Sequence, residues 1–356
     1  MIVRAQPDWR PCLIMSLHLL ALLVAFAPTT AQTRQERAAA SPTASIVATD
    51  LVNPRGLAWD TDGRLLVASA GRGRATAGIV RVDAGCPVPV VEGGASIGVY
   101  NSHAGIADLA LLDGELFALS AAIGAPNGLY RVDGASLALV ADLGAWLERH
   151  PPRHRPPDYT PAGILHAFTP IPGERAFWVL ESNHGRLLRV PVDGEVAEVA
   201  DLSAGHPVPV GVAAAAEGGA YVAYFGIVPY TDGAARIVRV DPSGDVVDVW
   251  RGLTALADVA VDRDGRLYAV EMATGNTAEA FLRPGTGRLL RRDQNGRISV
   301  VADRLDRPVS LAFGPDDAAY VAAPAFGADD GGGQVVRFGE PSVASPPSGS
   351  TCVRSP

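Results

Sequence analysis

The sequence predicts an all-β chain folded as a six-bladed β-propeller with four-stranded blades. Three observations predict it. A strand–turn–strand unit recurs six times along the chain. A stretch near the start, ASIVATDLVNPRGLAW (44–59), is repeated near the end as ISVVADRLDRPVSLAF (298–313). The last unit is one strand short, and the extra copy at the start supplies a strand of the missing kind.

The units follow in order. Their first two strands read GLAWDTDGRLLVAS (56–69), ADLALLDGELFALS (107–120) and HAFTPIPGERAFWVLES (166–182), then GVAAAAEGGAYVAY (211–224), DVAVDRDGRLYAVE (258–271) and SLAFGPDDAAYVAA (310–323). The second-strand residues Leu66, Phe117, Phe177, Tyr221, Tyr268 and Tyr320 lie 51, 60, 44, 47 and 52 positions apart, the length of a four-stranded blade. Third strands read GIVRVDA (78–84), GLYRVDG (128–134), GRLLRVPVDG (185–194), RIVRVDPSG (236–244), GRLLRRDQNG (287–296) and GQVVRFG (333–339). Turns such as TDG, LDG and RDG supply the positive-φ residues that tight hairpins need. Helical periodicity competes only at Leu143–Arg149.

Closure follows from counting strands. The sixth unit ends after its third strand, so Ser45–Thr49 is expected to complete it as the outer strand. Ser45 then matches Ser299, Val47 matches Val301, Asp50 matches Arg304 and Pro54 matches Pro308. A ring closed in this way leaves no gap between its last blade and its first.

Outside the ring, Arg4 and Arg10 precede an apolar run, Cys12–Ala27, and small residues to Ala31, the pattern of a cleaved export signal. The run is short for a membrane span of about 20 residues. The reading is therefore a signal peptide at 1–31, a disordered spacer at 32–43, the propeller at 44–339 and a Pro/Ser-rich disordered tail at 340–356. The mature protein is expected in the periplasm or outside the cell, with no stable membrane span. Cys86 and Cys352 remain after cleavage, and the sequence leaves open whether they pair.

Hydrophobic residues make up 48% of the chain but aromatics only 6%, so the core must be built from Val, Leu and Ala. Net charge is −8, every basic residue is Arg, and no basic block with interleaved aromatics occurs. Nucleic acid is therefore not an expected partner.

Several stretches together carry a resemblance: VNPRGLAWDTDGRLLVASAGRG (52–73), GIADLALLDGELFALS (105–120), ESNHGRLLRVPVDGEV (181–196), PVGVAAAAEGGAYVAYFG (209–226) and LADVAVDRDGRLYAVEM (257–272). The chain resembles the ScyD/ScyE family, exported propellers related to NHL-type repeats, over residues 44–338. The chain departs from that family at the start of the third unit, where Gly163-Ile164-Leu165-His166 stands in place of a Ser-Asn-Pro-Tyr-Gly-like stretch. The resemblance implies a propeller fold and export, and carries over no catalytic residue. The family's name adds a third reading, an enzyme of secondary-metabolite assembly.

Chemistry is expected on one face. Turns after first and third strands are short, whereas loops after second and fourth strands hold every insertion, and function usually sits on loops carried by a rigid scaffold. Innermost strands start at that loop-rich face with Gly56, Asp108, His166, Gly211, Asp258 and Ser310. Arg55, His103, Asp108, His166, Glu181, Asp258 and Glu271 are the binding candidates at the tunnel mouth. Asp108 and Asp258 start strands of opposite blades, and as oxygen ligands they could hold a divalent cation such as Ca²⁺. The alternative for this pair is structural: carboxylates at strand starts that accept hydrogen bonds from neighbouring blades. The Pro-rich segment Leu147–Thr160 reads either as a recognition strap for an anionic partner or as a stiff connection. Two function classes follow. One is a binding or scaffold propeller whose loop-rich face takes a small molecule, a glycan or a protein. The other is a metal-dependent hydrolase or lactonase of gluconolactonase/regucalcin type.

Overall fold

The computed structural model describes residues 43–99, 102–122, 126–339 and 352. The signal peptide, residues 32–42 of the spacer and the tail apart from Cys352 lie outside the described residues.

The six expected blades are present, in chain order around the ring. Blade 1 holds β2 (Pro54–Trp59), β3 (Leu65–Ser69), β4 (Arg74–Asp83), β5 (Cys86–Val99) and β6 (Ser102–Ala104). Blade 2 holds β7 (Ile106–Leu112), β8 (Glu115–Ser120), β9 (Gly128–Asp133) and β10 (Ser136–Asp142), followed by the short helix α1 (Leu143–Arg149). Blade 3 holds β11 (Leu165–Pro170), β12 (Ala176–Glu181), β13 (Arg186–Pro191) and β14 (Ala197–Asp201). Blade 4 holds β15 (Pro209–Ala214), β16 (Ala220–Tyr224), β17 (Ala235–Val240) and β18 (Val246–Leu253). Blade 5 holds β19 (Leu256–Val261), β20 (Leu267–Glu271), β21 (Gly287–Arg292) and β22 (Ile298–Leu305). Blade 6 holds β23 (Ser310–Phe313), β24 (Ala319–Ala323) and β25 (Gly333–Gly339), and is completed by β1 (Thr43–Leu51).

The closure is as the strand count requires. β1 pairs antiparallel with β25, from Thr43↔Gly339 through Ser45↔Arg337 to Leu51↔Gly333. It begins one residue before the expected propeller boundary. The duplicated stretches also share backbone geometry. Asp50 (φ 59°) matches Arg304 (φ 56°), and Asn53 (φ 39°) matches Arg307 (φ 43°). Left-handed non-glycine residues are uncommon, so two such matches in one alignment mark the same turn built twice.

The core lies between blade faces. Phe117 of blade 2 packs at 5.0 Å on Phe177 of blade 3, and Phe168 packs on the same ring at 5.0 Å. Leu180, Leu187, Val222 and Val240 fill the space between blades 3 and 4, and Ile237, Leu256 and Ala269 that between blades 4 and 5. β1 contributes Ala48 and Leu51 to the cluster that joins blades 5, 6 and 1.

Two details differ from expectation. In blade 3 the sequence alignment was one residue out. The pairs Phe168↔Val179 and Thr169↔Trp178 match Leu57↔Val67 and Ala58↔Leu66, so Trp178 rather than Phe177 is the equivalent of Leu66. In blade 1 the stretches 70–77 and 93–105, which follow the second and fourth strands where loops are expected, are partly strand. β4 and β5 stay paired as far as Arg74↔Ser96, and β6 pairs back on Ile97–Val99. Glycines make this possible: a Cβ on Gly78 would sit 2.4 Å from the Val91 carbonyl oxygen, and one on Gly94 would sit 2.9 Å from that of Ala77. Without side chains at these points the two strands coil together past Gly93-Gly94 instead of parting.

Cys86 and Cys352 are disulfide-bonded, with Cα atoms 5.5 Å apart. The bond sits at the joint of the ring, where Thr49 N–H of β1 donates to the Gly85 carbonyl of blade 1 at 3.1 Å. It links residues 266 positions apart. Closing so long a loop in the unfolded chain is worth on the order of 3–5 kcal/mol.

Candidate functional site

The loop-rich face of the joint between blades 6 and 1 gathers a polar network at the mouth. Asn53 has a positive φ just before β2 and is buried. Its Nδ2 donates to the Gly71 carbonyl at 2.8 Å and to Asp329 Oδ1 at 2.5 Å. Its Oδ1 accepts from Ala328 N–H at 3.3 Å. Next along the strand, the Arg55 guanidinium donates to the Ala325 carbonyl at 2.7 Å, to Ser102 Oγ at 2.8 Å and to the His103 carbonyl at 3.1 Å. Among the described residues its partners are carbonyl and hydroxyl oxygens and no carboxylate, and burial lowers its pKa to about 10. His103 lies on β6, with Nδ1 3.4 Å from Asp329 Oδ1. The His103 side chain is 20% exposed and that of Asp329 59%, so the network opens to solvent at this pair.

Deeper along the inner strands, Asp108 and Asp258 repeat one arrangement on opposite blades. Asp108 Oδ1 accepts from Leu109 N–H at 2.8 Å, and Oδ2 accepts from Phe168 N–H of the next blade at 3.0 Å. Asp258 Oδ1 accepts from Val259 N–H at 2.8 Å, and Oδ2 accepts from Leu311 N–H of the next blade at 2.8 Å. Each also has a glycine of the preceding blade against it. A Cβ on Gly56 would lie 1.9 Å from Asp108 Oδ1, and one on Gly211 would lie 2.7 Å from the Asp258 Cα. The inner ring therefore reads Gly56, Asp108, Ala167, then Gly211, Asp258, Ser310. The two halves of the ring repeat this order of glycine, aspartate and small residue.

His166 is not in that ring. The bulge between Leu165 and Ala167 gives the position to Ala167, and His166 aligns with Arg55 one residue nearer the loop-rich face. There burial, and then the Arg55 charge, lower its pKa to about 4, against an opposing hydrogen bond with the Val210 backbone. Glu181 and Glu271 end second strands as expected but lie fully buried. Glu181 accepts from the N–H groups of Ile164 (2.6 Å), Asn183 (2.8 Å) and His184 (2.6 Å). Glu271 accepts from Thr254 N–H at 2.8 Å and from Arg288 Nε at 2.6 Å. Each glutamate thus staples an interblade loop to the blade it enters, and its oxygens face protein donors.

The Pro-rich segment after α1 is tied down along its length. Arg153 N–H donates to Asp201 at 2.9 Å, and His154 N–H to Ser203 Oγ at 3.1 Å. The Asn183 carboxamide donates to the Asp158 carbonyl at 3.0 Å, while Tyr159 stacks on His184 at 4.9 Å. These contacts fit a stiff connection.

Among the described residues no group of three or more His, Cys, Asp or Glu side chains could hold a metal ion. At Asp108 and Asp258 every carboxylate oxygen already accepts a backbone N–H. The observed geometry is that of the structural alternative for this pair. Asn53, Ser102 and Asp329 were missed as site residues.

Burial raises the pKa of Asp108 to about 7 and that of Glu181 to about 7. Burial, then the nearby Asp108 charge, raises that of Asp258 well above the usual range. An acid with a raised folded-state pKa binds more protons folded than unfolded, so stability falls as pH rises from the unfolded pKa to the folded one. His166 acts in the opposite sense, but only between about 4 and about 6.5, its unfolded value. Above pH 6.5 the acids act alone. Urea unfolding at pH 6.5, 7.2 and 8.0 is expected to show falling stability, with each acid contributing less than about 1.4 kcal/mol per pH unit, the ceiling for a single titrating proton.

No family model matches the chain, and no curated protein matches it in sequence. Solved structures do. The PQQ-bound aldose sugar dehydrogenase of Streptomyces coelicolor superposes with a TM-score of 0.55 at 17% identity, covering 83% of this chain and 98% of that one. A calcium-binding protein, regucalcin, from Agrobacterium tumefaciens gives 0.55 at 15%, covering 84% and 96%. A gluconolactonase from Xanthomonas campestris gives 0.53 at 13%, covering 84% and 89%. The likeness is one of fold. Three proteins described in such different terms share the ring, so the ring alone does not choose a chemistry.

Proposed function

We propose that the chain is an exported binding or scaffold propeller of the ScyD/ScyE type, with its ligand surface on the loop-rich face at the joint of the ring. The observation that carries this reading is the Asn53–Arg55–Ser102–His103–Asp329 network. It draws on three separate segments, and its open end is a polar His–Asp pair. The deeper acids, by contrast, each accept one backbone N–H on either oxygen and lie apart from this network. Export is supported by the leader and agrees with the Cys86–Cys352 bond, because disulfides persist in oxidising compartments. The ligand class is a polar small molecule, a glycan or a protein surface.

Likeness of fold to regucalcin and gluconolactonase supports a metal-dependent lactonase only at the level of the ring. Two measurements on the mature protein separate the readings. A glycan array and a small-molecule thermal-shift screen are expected to give a ligand whose binding is lost in His103→Ala/Asp329→Ala. Addition of Ca²⁺, Mn²⁺ or Zn²⁺ is expected to leave the melting temperature unchanged. Lactone hydrolysis that requires one of these ions and disappears in a folded Asp258→Asn variant would overturn the proposal.

A further inference from the structure

The opposite, short-turn face holds a feature that the loop-rich site does not use. A shallow, open depression of about 450 Å³ lies there among the ends of the inner strands of blades 1, 2, 3 and 6. Its walls include Trp59, Leu111, Pro170, Phe313 and Pro315, with Asp60 at the edge. A volume of this size falls in the range of small-ligand sites.

The aromatic walls are held in place from behind. Trp59 meets Tyr320 edge-on at 5.1 Å and 75°, and Phe313 meets Tyr268 edge-on at 4.9 Å and 78°. Gly314 permits the first pair, since a Cβ there would lie 2.5 Å from Tyr320 Cε2 and 3.2 Å from Trp59 Cζ2. Asp60 is fixed as well. Its Oδ1 accepts from the N–H groups of Asp62 (3.0 Å) and Arg64 (2.9 Å), and its Oδ2 accepts from Arg64 Nε (2.7 Å). These groups are therefore ordered before any ligand arrives.

Charge selects the occupant. The six turns that join first and second strands surround this end of the axis. At residues 60–64, 113–115, 171–175, 215–219, 262–266 and 314–318 they carry ten carboxylates against four arginines; Arg131, Arg189 and Arg337 of the third strands also pair with Glu115, Glu174 and Asp316, so the surround stays negative by a smaller margin. An open apolar depression with an electron-rich indole on one side and a net-negative surround favours a cation with an apolar body. We propose that this depression binds a small hydrophobic organic cation, of the aryl- or alkylammonium class.

The test titrates the mature protein with benzyltrimethylammonium, read by calorimetry and by ligand-observed NMR, beside neopentylbenzene, its uncharged isostere. Saturable binding of the cation is expected, with the neutral compound weaker by about tenfold, the loss of a cation–π contact and of the surrounding field. Trp59→Ala is expected to weaken the cation by a similar factor. Because that change also removes packing on Tyr320, Leu111→Trp serves as a second variant, filling the depression from another side and abolishing binding at an unchanged melting temperature. Absence of saturation, equal affinity for the neutral isostere, or full binding by folded Leu111→Trp would each overturn the proposal.

Discussion

A mature chain lacking residues 32–50 is expected to lose its cooperative thermal transition or to melt far below the full-length protein. The cost is on the order of 5 kcal/mol or more, comparable to the whole stability of a typical domain. The deletion removes most of the β1–β25 ladder and takes Ala48 out of the cluster joining blades 5, 6 and 1. It also strips the Thr49–Gly85 hydrogen bond from the joint and exposes β25 as an open edge. The disulfide does not substitute for the strand, because Cys352 ties the tail to blade 1 without pairing with β25. Differential scanning calorimetry of the two chains checks this, and closely matched melting temperatures would contradict it.

Gly56→Ala is expected to destabilise by about 3 kcal/mol or more. Its Cβ would lie 1.9 Å from Asp108 Oδ1 and 2.5 Å from the Asp108 Cα. A carboxylate at the end of a flexible side chain could turn aside, but the Cα belongs to an inner strand held by both neighbours. Turning the carboxylate aside would also break its bond to Phe168 N–H and leave a buried donor unpaired. Gly98→Ala is the control, because nothing lies within 4 Å of its Cβ and its φ is not positive. That variant should stay within about 0.5 kcal/mol of the parent in urea unfolding. Similar losses in both variants would refute the packing account.

The ring was legible because its signals are periodic and redundant. Six strand pairs, their turns and one duplicated stretch all agree, so errors of one residue do not disturb the count. Such an error did occur in blade 3. Leu165-His166-Ala167-Phe168 offers two phases, and a bulge between Leu165 and Ala167 chose the one that gave the ring position to Ala167. The β5–β6 extension was hidden for a related reason. Gly93-Gly94 looks like a loop, and only the close approach of Gly78 to Val91 shows that it is a coiled strand.

The candidate site was legible residue by residue but not as partners. Arg55, His103 and the four acids were all picked out, yet their roles depend on what faces them. Glu181 and Glu271 at strand ends look like ligands in sequence, and the fold turns them onto loop N–H groups. Asn53 meets Asp329, 276 positions away, and no local pattern announces that contact. The aromatic depression on the short-turn face was equally silent, because Trp59 and Phe313 at strand ends resemble ordinary core residues.

The most direct test of the ring joint is a designed cross-link between Ile46→Cys and Val336→Cys, which face each other across the β1–β25 ladder. Mild oxidation of the folded protein, followed by peptide mapping, should give a disulfide joining these two positions in nearly all molecules, beside the intact Cys86–Cys352 bond. Free thiols at both positions in a protein that remains folded would contradict closure by the N-terminal strand.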